Sequence, residues 1–148
     1  KRRVRGFSLV ELLIAVAVIA ILAGMAIPNI ASTRSAANES SAISSLRLIS
    51  KGMEGWRIQN RGGDNGYPVD YRSLAVGNPG DIDAVLGSGQ RSGYLFAGGG
   101  DTSQYQITAV PVTFGSSGRR SFYVDATGVI RGADHAGAAA DSTDPAIQ

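Results

Sequence analysis

Residues 7–27 constrain this chain more than any other segment, because Glu11 is the single charge among those twenty-one positions. As an α-helix rising about 1.5 Å per residue, the run would be roughly 31 Å long, matching a hydrocarbon core of about 30 Å. Twelve of its residues are Phe, Leu, Ile or Val. At about −0.3 to −0.6 kcal/mol each on an insertion scale, they contribute roughly −4 to −7 kcal/mol. An ionised carboxylate costs about 3 kcal/mol at the bilayer centre and less near its edge, where Glu11 falls. Insertion therefore wins. Lys1, Arg2, Arg3 and Arg5 precede the run and keep the N-terminus cytoplasmic by the positive-inside rule, so that residues after Pro28 lie outside.

Three plainer roles compete. A buried core helix would have to hide sixteen uninterrupted non-polar residues from Leu12 to Ile27. A secretory signal peptide shares the basic-then-apolar order, with Ala23, Gly24 and Ala26 as small residues near a cleavage site, but an acid so early in the run speaks against it. A single-pass anchor explains everything except the detail around Gly6 and Glu11.

That detail is Gly6-Phe7-Ser8-Leu9-Val10-Glu11-Leu12-Leu13, with Pro28 closing the run. It resembles the N-terminus of type IV pilins and type II secretion pseudopilins over about a fifth of the chain. Asn65-Gly66-Tyr67-Pro68 looks like the turn after the helix in G-type pseudopilins, a weaker likeness. The resemblance implies that residues 1–6 are a leader, that a prepilin peptidase cuts between Gly6 and Phe7, and that the new Phe7 amine is methylated. It gives Glu11 the role of an assembly register mark, paired with the N-terminal amine of a neighbouring subunit. No basic residue lies three or four positions from Glu11 on its own helix, so a carboxylate in an apolar stripe needs a partner from elsewhere or a proton.

Pro28 removes a backbone donor and crowds the carbonyl of Gly24, itself a weak helix former, so residues 24–28 are the expected helix break. Beyond it Ile43, Leu46, Ile49, Met53 and Trp56 recur at steps of three and four. One helix from about residue 8 to 60 is expected, apolar first and amphipathic second, with Asn60 to Gly66 ending it. Residues 61–92 lack clean periodicity; 67–71 read as an extended connector and 72–76 as a short turn. Strand signals follow at 92–96, 105–112, 121–124 and 129–131, separated by turns at 98–101, 115–118 and 125–128. The fold class is α+β and pilin-like: a long helix on an antiparallel sheet of three to four strands. The expected organisation is a leader over 1–6, a transmembrane and polymerisation half over 7–28, a periplasmic globular domain over 29–131, and an unfolded tail over 132–148.

No motif points to catalysis. Gly98-Gly99-Gly100 lacks the Gly-Lys-Ser/Thr of a phosphate loop. His135 is the single His and there is no Cys, which excludes a Cys-based zinc site and a disulfide framework. No cofactor is assigned; calcium is implied by the resemblance alone, and Asp134, Asp141 and Asp144 lack the spacing of a calcium loop. Nucleic-acid binding is not expected, since Arg119-Arg120 is the sole basic pair on the outer part of the chain.

The chain is thus identified as a member of the pilin and pseudopilin family. The resemblance implies a homo-oligomeric filament, contact with membrane lipid before assembly, and an inner-membrane platform protein and assembly ATPase as partners. Missing Cys tilts the reading toward type II protein secretion, with a pilus for adhesion, motility or DNA uptake as the alternative. A monomeric membrane-anchored periplasmic binding module is the reading from another class. The formal +2 charge belongs to the leader, because residues 7–148 carry ten basic and twelve acidic side chains.

Overall fold

The computed structural model describes residues 7–76 and 81–147, and over residues 25–30 the backbone only. The chain divides into two compact units after Thr33. Helix α1, Leu9–Ile58, is assigned without interruption across that division, Gly24 and Pro28 included. The Pro28 side chain lies outside the described residues. A Cβ on Gly24 would meet nothing within 4 Å.

In the second unit α1 presents the expected stripe. Leu46, Ile49 and Met53 are fully buried and Ala42 nearly so, while Ile43 and Trp56 pack at the margin of the same core. A Schellman motif ends the helix: the Asn60 N–H donates to the Arg57 carbonyl and the Arg61 N–H to the Trp56 carbonyl. Asn60 takes the left-handed conformation this motif requires, at φ 50°, and Asn tolerates that conformation better than most residues.

Five strands form an antiparallel meander in sequence order: β1 (Gln90–Arg91), β2 (Tyr94–Gly100), β3 (Tyr105–Pro111), β4 (Ser121–Asp125) and β5 (Ile130–Ala133). The expected helix-on-sheet architecture holds, with one strand more than foreseen because β1 is only two residues long. Ile107 pairs with Val124, and Ala109 with Phe122. All four side chains join the α1 stripe in one core with Tyr71, Tyr94 and Phe96. Residues 61–92 supply a 3-10 helix at Tyr71–Ala75 and a one-turn helix α2 at Ala84–Gly87. Asp70 and Asp83 cap them, accepting from the backbone N–H of Arg72 and Leu86. Such single turns are too short to leave a periodic signal.

Two expectations are corrected. Residues 98–101 are no turn: Gly98 to Gly100 continue β2, paired with Ile107, Gln106 and Tyr105. Their lack of side chains serves close approach. The Gly100 N–H donates to the Pro68 carbonyl and the Tyr67 N–H to the Asp101 carbonyl, both at 2.8 Å. A Cβ on Gly99 would overlap the Val69 carbonyl oxygen. The second correction concerns the tail, which folds back along β5 instead of remaining unfolded. The Ile147 N–H donates to the Ile130 carbonyl at 2.8 Å, and the Gly132 N–H to the Pro145 carbonyl at 3.1 Å. Ser121 donates to the Ala138 carbonyl and His135 meets Asp144 at 2.8 Å, with Ala140 and Asp144 buried. Small residues that read as disorder by composition are those that can lie flat on a sheet edge with unmet backbone groups.

One polar clamp joins α1 to the loop between β3 and β4. Glu39 accepts from the backbone N–H groups of Arg119 (3.0 Å) and Arg120 (3.3 Å) and from the Arg120 guanidinium (2.8 Å). Burial opposes the charge, but these donors outweigh it and hold the Glu39 carboxyl below its ordinary 4.5. Its contribution is complete above that ordinary value and lost as pH falls through the lower folded value. Glu39→Gln in the full chain is expected to cost about 1–2 kcal/mol at neutral pH in detergent-solubilised urea melts. The gap between variant and wild type should close as pH falls through that lowered value, where the native carboxyl is also protonated. Gly99→Ala should cost about 1–3 kcal/mol in the same melts, through displacement of the 67–70 connector.

Candidate assembly and processing segment

Gly6, the residue before the expected cut, lies outside the described residues. Phe7 and Ser8 precede α1, and Phe7 is 81% exposed. Ser8 occupies the N-cap position and Glu11 the third residue of the helix. The Glu11 carboxylate accepts from the Ser8 backbone N–H at 3.0 Å, while the Leu12 N–H donates to the Ser8 carbonyl at 3.2 Å. This is the reciprocal half of a capping box, in which an acid at the third position satisfies a backbone donor that the helix cannot.

Sequence reasoning missed that contact by searching only for a basic partner. The Ser-x-x-Glu spacing of Ser8 and Glu11 was the signal that could have found it. Within one chain Glu11 has no ion-pair partner among the described residues, but its carboxylate is turned back toward the N-terminus. That is the direction in which Cα–Cβ bonds lean on any α-helix. An amine brought close to Phe7 or Ser8 from another molecule would meet an acid already aimed at this end of the helix.

Around Glu11 every described apolar side chain of the first unit faces outward. Leu9 is 79% exposed, Leu13 65% and Leu22 63%, and Val10, Leu12, Ile14, Val16, Val18, Ile19 and Ile21 share this exposure. A helix that is apolar all round has no solvated face of its own. Among the described residues no helix is long and apolar enough to cross a membrane; side chains of the run are described only as far as Gly24.

The remaining site expectations are quickly placed. Among the described residues no group of three His, Asp or Glu is arranged to hold a metal. Asp134 pairs with Arg119 at 3.4 Å and Asp144 with His135, while Asp141 accepts from the Thr143 N–H at 2.8 Å. The three tail acids thus serve local turns and ion pairs.

Residues 1–27 match the family of the prokaryotic N-terminal methylation motif. The chain is 31% identical over 114 residues to the type IV wide pilus major component PilA4 of Thermus thermophilus, covering 74% of this chain and 84% of that protein. It is 27% identical over 74 residues to the type II secretion system core protein G of Aeromonas hydrophila, or 50% of this chain and 49% of that protein. A 25% identity over 76 residues links it to the core protein G of Dickeya chrysanthemi, covering 51% and 47%. The chain therefore spans about half the length of these secretion proteins and most of the pilus component. No solved structure matches it.

Glu11→Ala should free the Ser8 N–H and fray the first turn of α1, at a cost of about 0.5–1 kcal/mol. Amide exchange at Ser8 in detergent micelles should quicken, while exchange in the Tyr105–Pro111 strand stays unchanged.

Proposed function

The chain belongs to the type IV pilin and pseudopilin family, and from that premise we propose how it works as the repeating structural subunit of a filament. One observation carries the reading: a helix half exposed and apolar on every side, marked by one acid near its start and followed by a folded head. Such a helix is at home in two places, lipid and a bundle of its own kind. The subunit is held in the inner membrane with residues 1–6 cytoplasmic and the head periplasmic, then passes into a filament whose core is made of these helices.

Transfer from lipid to bundle brings no hydrophobic gain, because lipid tails are as apolar as Leu or Ile. Packing and polar contacts must decide it. Removal of the leader strips four basic charges that oppose extraction from the membrane and leaves a new amine on Phe7, which the peptidase then methylates. Gly6 suits the cut, since a residue without Cβ admits the backbone to a narrow proteolytic site. The Phe7 amine of one subunit pairs with Glu11 of its neighbour, and a charge pair of this kind fixes axial position more than it stabilises. Gly24 and Pro28 weaken the helix between the apolar half and the head, and give way when the filament is pulled. A platform protein and an assembly ATPase supply the work of extraction.

Missing Cys and the likeness to core protein G support a role in protein secretion. The pilus reading is favoured by a specific observation, the likeness to a wide-pilus component over 84% of that protein. Deleting the gene separates them: loss of exported enzymes with surface fibres intact marks secretion, and the converse marks a pilus.

Mass spectrometry of the mature protein should find Phe7 first and one methyl group heavier, and Gly6→Val should leave the leader attached. Glu11→Ala should lower filament yield on the order of tenfold or more, the equivalent of about 1.4 kcal/mol per subunit contact, with protein accumulating in the membrane. Full assembly of that variant would sink the register role.

A further inference from the structure

The head carries a feature that the proposed helix-driven assembly does not require. On the sheet face turned away from the core lies a groove of about 590 Å3, within the size range of small-ligand sites. Gly99, Gln106 and Asp125 lie side by side across β2, β3 and β4. They alternate with Ile107 and Val124, whose side chains are buried on the opposite face. Tyr123 from β4 and Asp101 and Gln104 from the β2–β3 turn complete the walls.

The polar groups are placed with some rigidity. Asp101 is held through Oδ1, which accepts from the Ser103 N–H (2.7 Å), the Ser103 hydroxyl (2.9 Å) and the Gln104 N–H (2.9 Å). Asp125 is held through Oδ1 by the Thr127 N–H at 2.9 Å and by the Thr127 hydroxyl. Gln104 and Gln106 are exposed, and among the described residues their amides have no partner. Each amide can both donate and accept. The space above Gly99 is filled by the Val69 carbonyl, which adds a backbone acceptor to the wall of the groove.

We propose that this groove binds a neutral oligosaccharide. Sugar hydroxyls need donors and acceptors in alternation, which two amides beside two fixed carboxylates provide, while the Tyr123 ring forms part of the wall. No lining residue is basic, so Asp101 and Asp125 repel acidic glycans and nucleic acid. Each carboxylate is engaged through Oδ1, which leaves Oδ2 to accept from a sugar hydroxyl; a cationic ligand would compete for the same oxygens and is the alternative that the spermidine competition tests. Repetition of the groove along a fibre, with avidity for a glycan-coated surface, rests on the filament reading above; binding by a single subunit does not.

The experiment uses the full-length chain in detergent micelles and, separately, sheared filaments. The probes are labelled neutral tetrasaccharides of glucose, galactose, mannose and N-acetylglucosamine, with spermidine and heparin as competitors. One tetrasaccharide should bind micellar protein with a dissociation constant of about 1 mM. Gln106→Ala and Gln104→Ala change exposed side chains without partners; each should weaken binding about tenfold and leave melting and assembly unaltered. On a surface coated with that sugar, filaments should gain on the order of 10²-fold or more over micelles. Failure of that gain alone would count against the filament display and leave the groove standing. Absence of tetrasaccharide binding to micelles, binding indifferent to both Gln variants, or displacement by spermidine or heparin would overturn the proposal.

Discussion

One demand stays unmet within the first unit: the first half of α1 is apolar on all sides and, among the described residues, has nothing in its own unit to pack against. In water, exposing ten large apolar side chains would cost on the order of 1.5–3 kcal/mol each. That cost favours a surrounding that covers the side chains. A lipid phase does so without specificity, and identical helices do so with specificity. On the filament reading proposed above, Glu11 would turn the second into an ordered arrangement, because a carboxylate among apolar neighbours tolerates few axial positions. Within one chain its hydrogen bond to the Ser8 N–H satisfies a helix terminus and turns the carboxylate toward the N-terminus.

The second unit solves the opposite problem. Its helix half is amphipathic, and Ala42, Leu46, Ile49 and Met53 find a sheet to cover them. Apolar contact sets how α1 lies on the strands, and the Glu39 clamp ties the β3–β4 loop to it from the polar side. Cutting the clamp by acid therefore leaves the loop to the Asn38 amide on the Ser117 carbonyl and the Tyr94 hydroxyl on the Arg120 carbonyl, both at 2.8 Å. The core also needs the connector, since the hydroxyl of the fully buried Tyr71 is placed to donate to the carbonyls of Leu86 (3.2 Å) and Phe96 (3.4 Å). An unpaired hydroxyl there would cost about as much as the ring gains.

Legibility in the sequence tracked the range of the interaction. The two characters of α1 were readable because periodicity is local, and Asn60 marked its end for the same reason. Four strands, β2 to β5, were readable from alternation and turn residues. The glycines at 98–100 misled because they look identical whether a chain turns or admits a neighbour, and the Pro68 carbonyl that settles it lies thirty residues away. The tail misled likewise: Ala, Gly and Asp lack apolar bulk, and only the open edge of β5 gives them a place. Ser8 was overlooked although its spacing from Glu11 was in plain view, since the search was for a charge and the partner was a backbone N–H. The sugar groove has no linear signature, as its walls come from three strands.

The returning tail covers the β5 edge, and the 67–70 connector covers the far end of β2 beyond β1. Among the described residues those stretches leave no backbone ladder for another chain to extend. Were such heads held at high density in a fibre, these covered stretches would work against zipping into a cross-β stack. On the filament reading proposed above, subunits joined by helix packing instead of shared strands would be releasable singly back into lipid. Covering two short stretches of sheet edge thus bears on whether such a fibre could be taken apart.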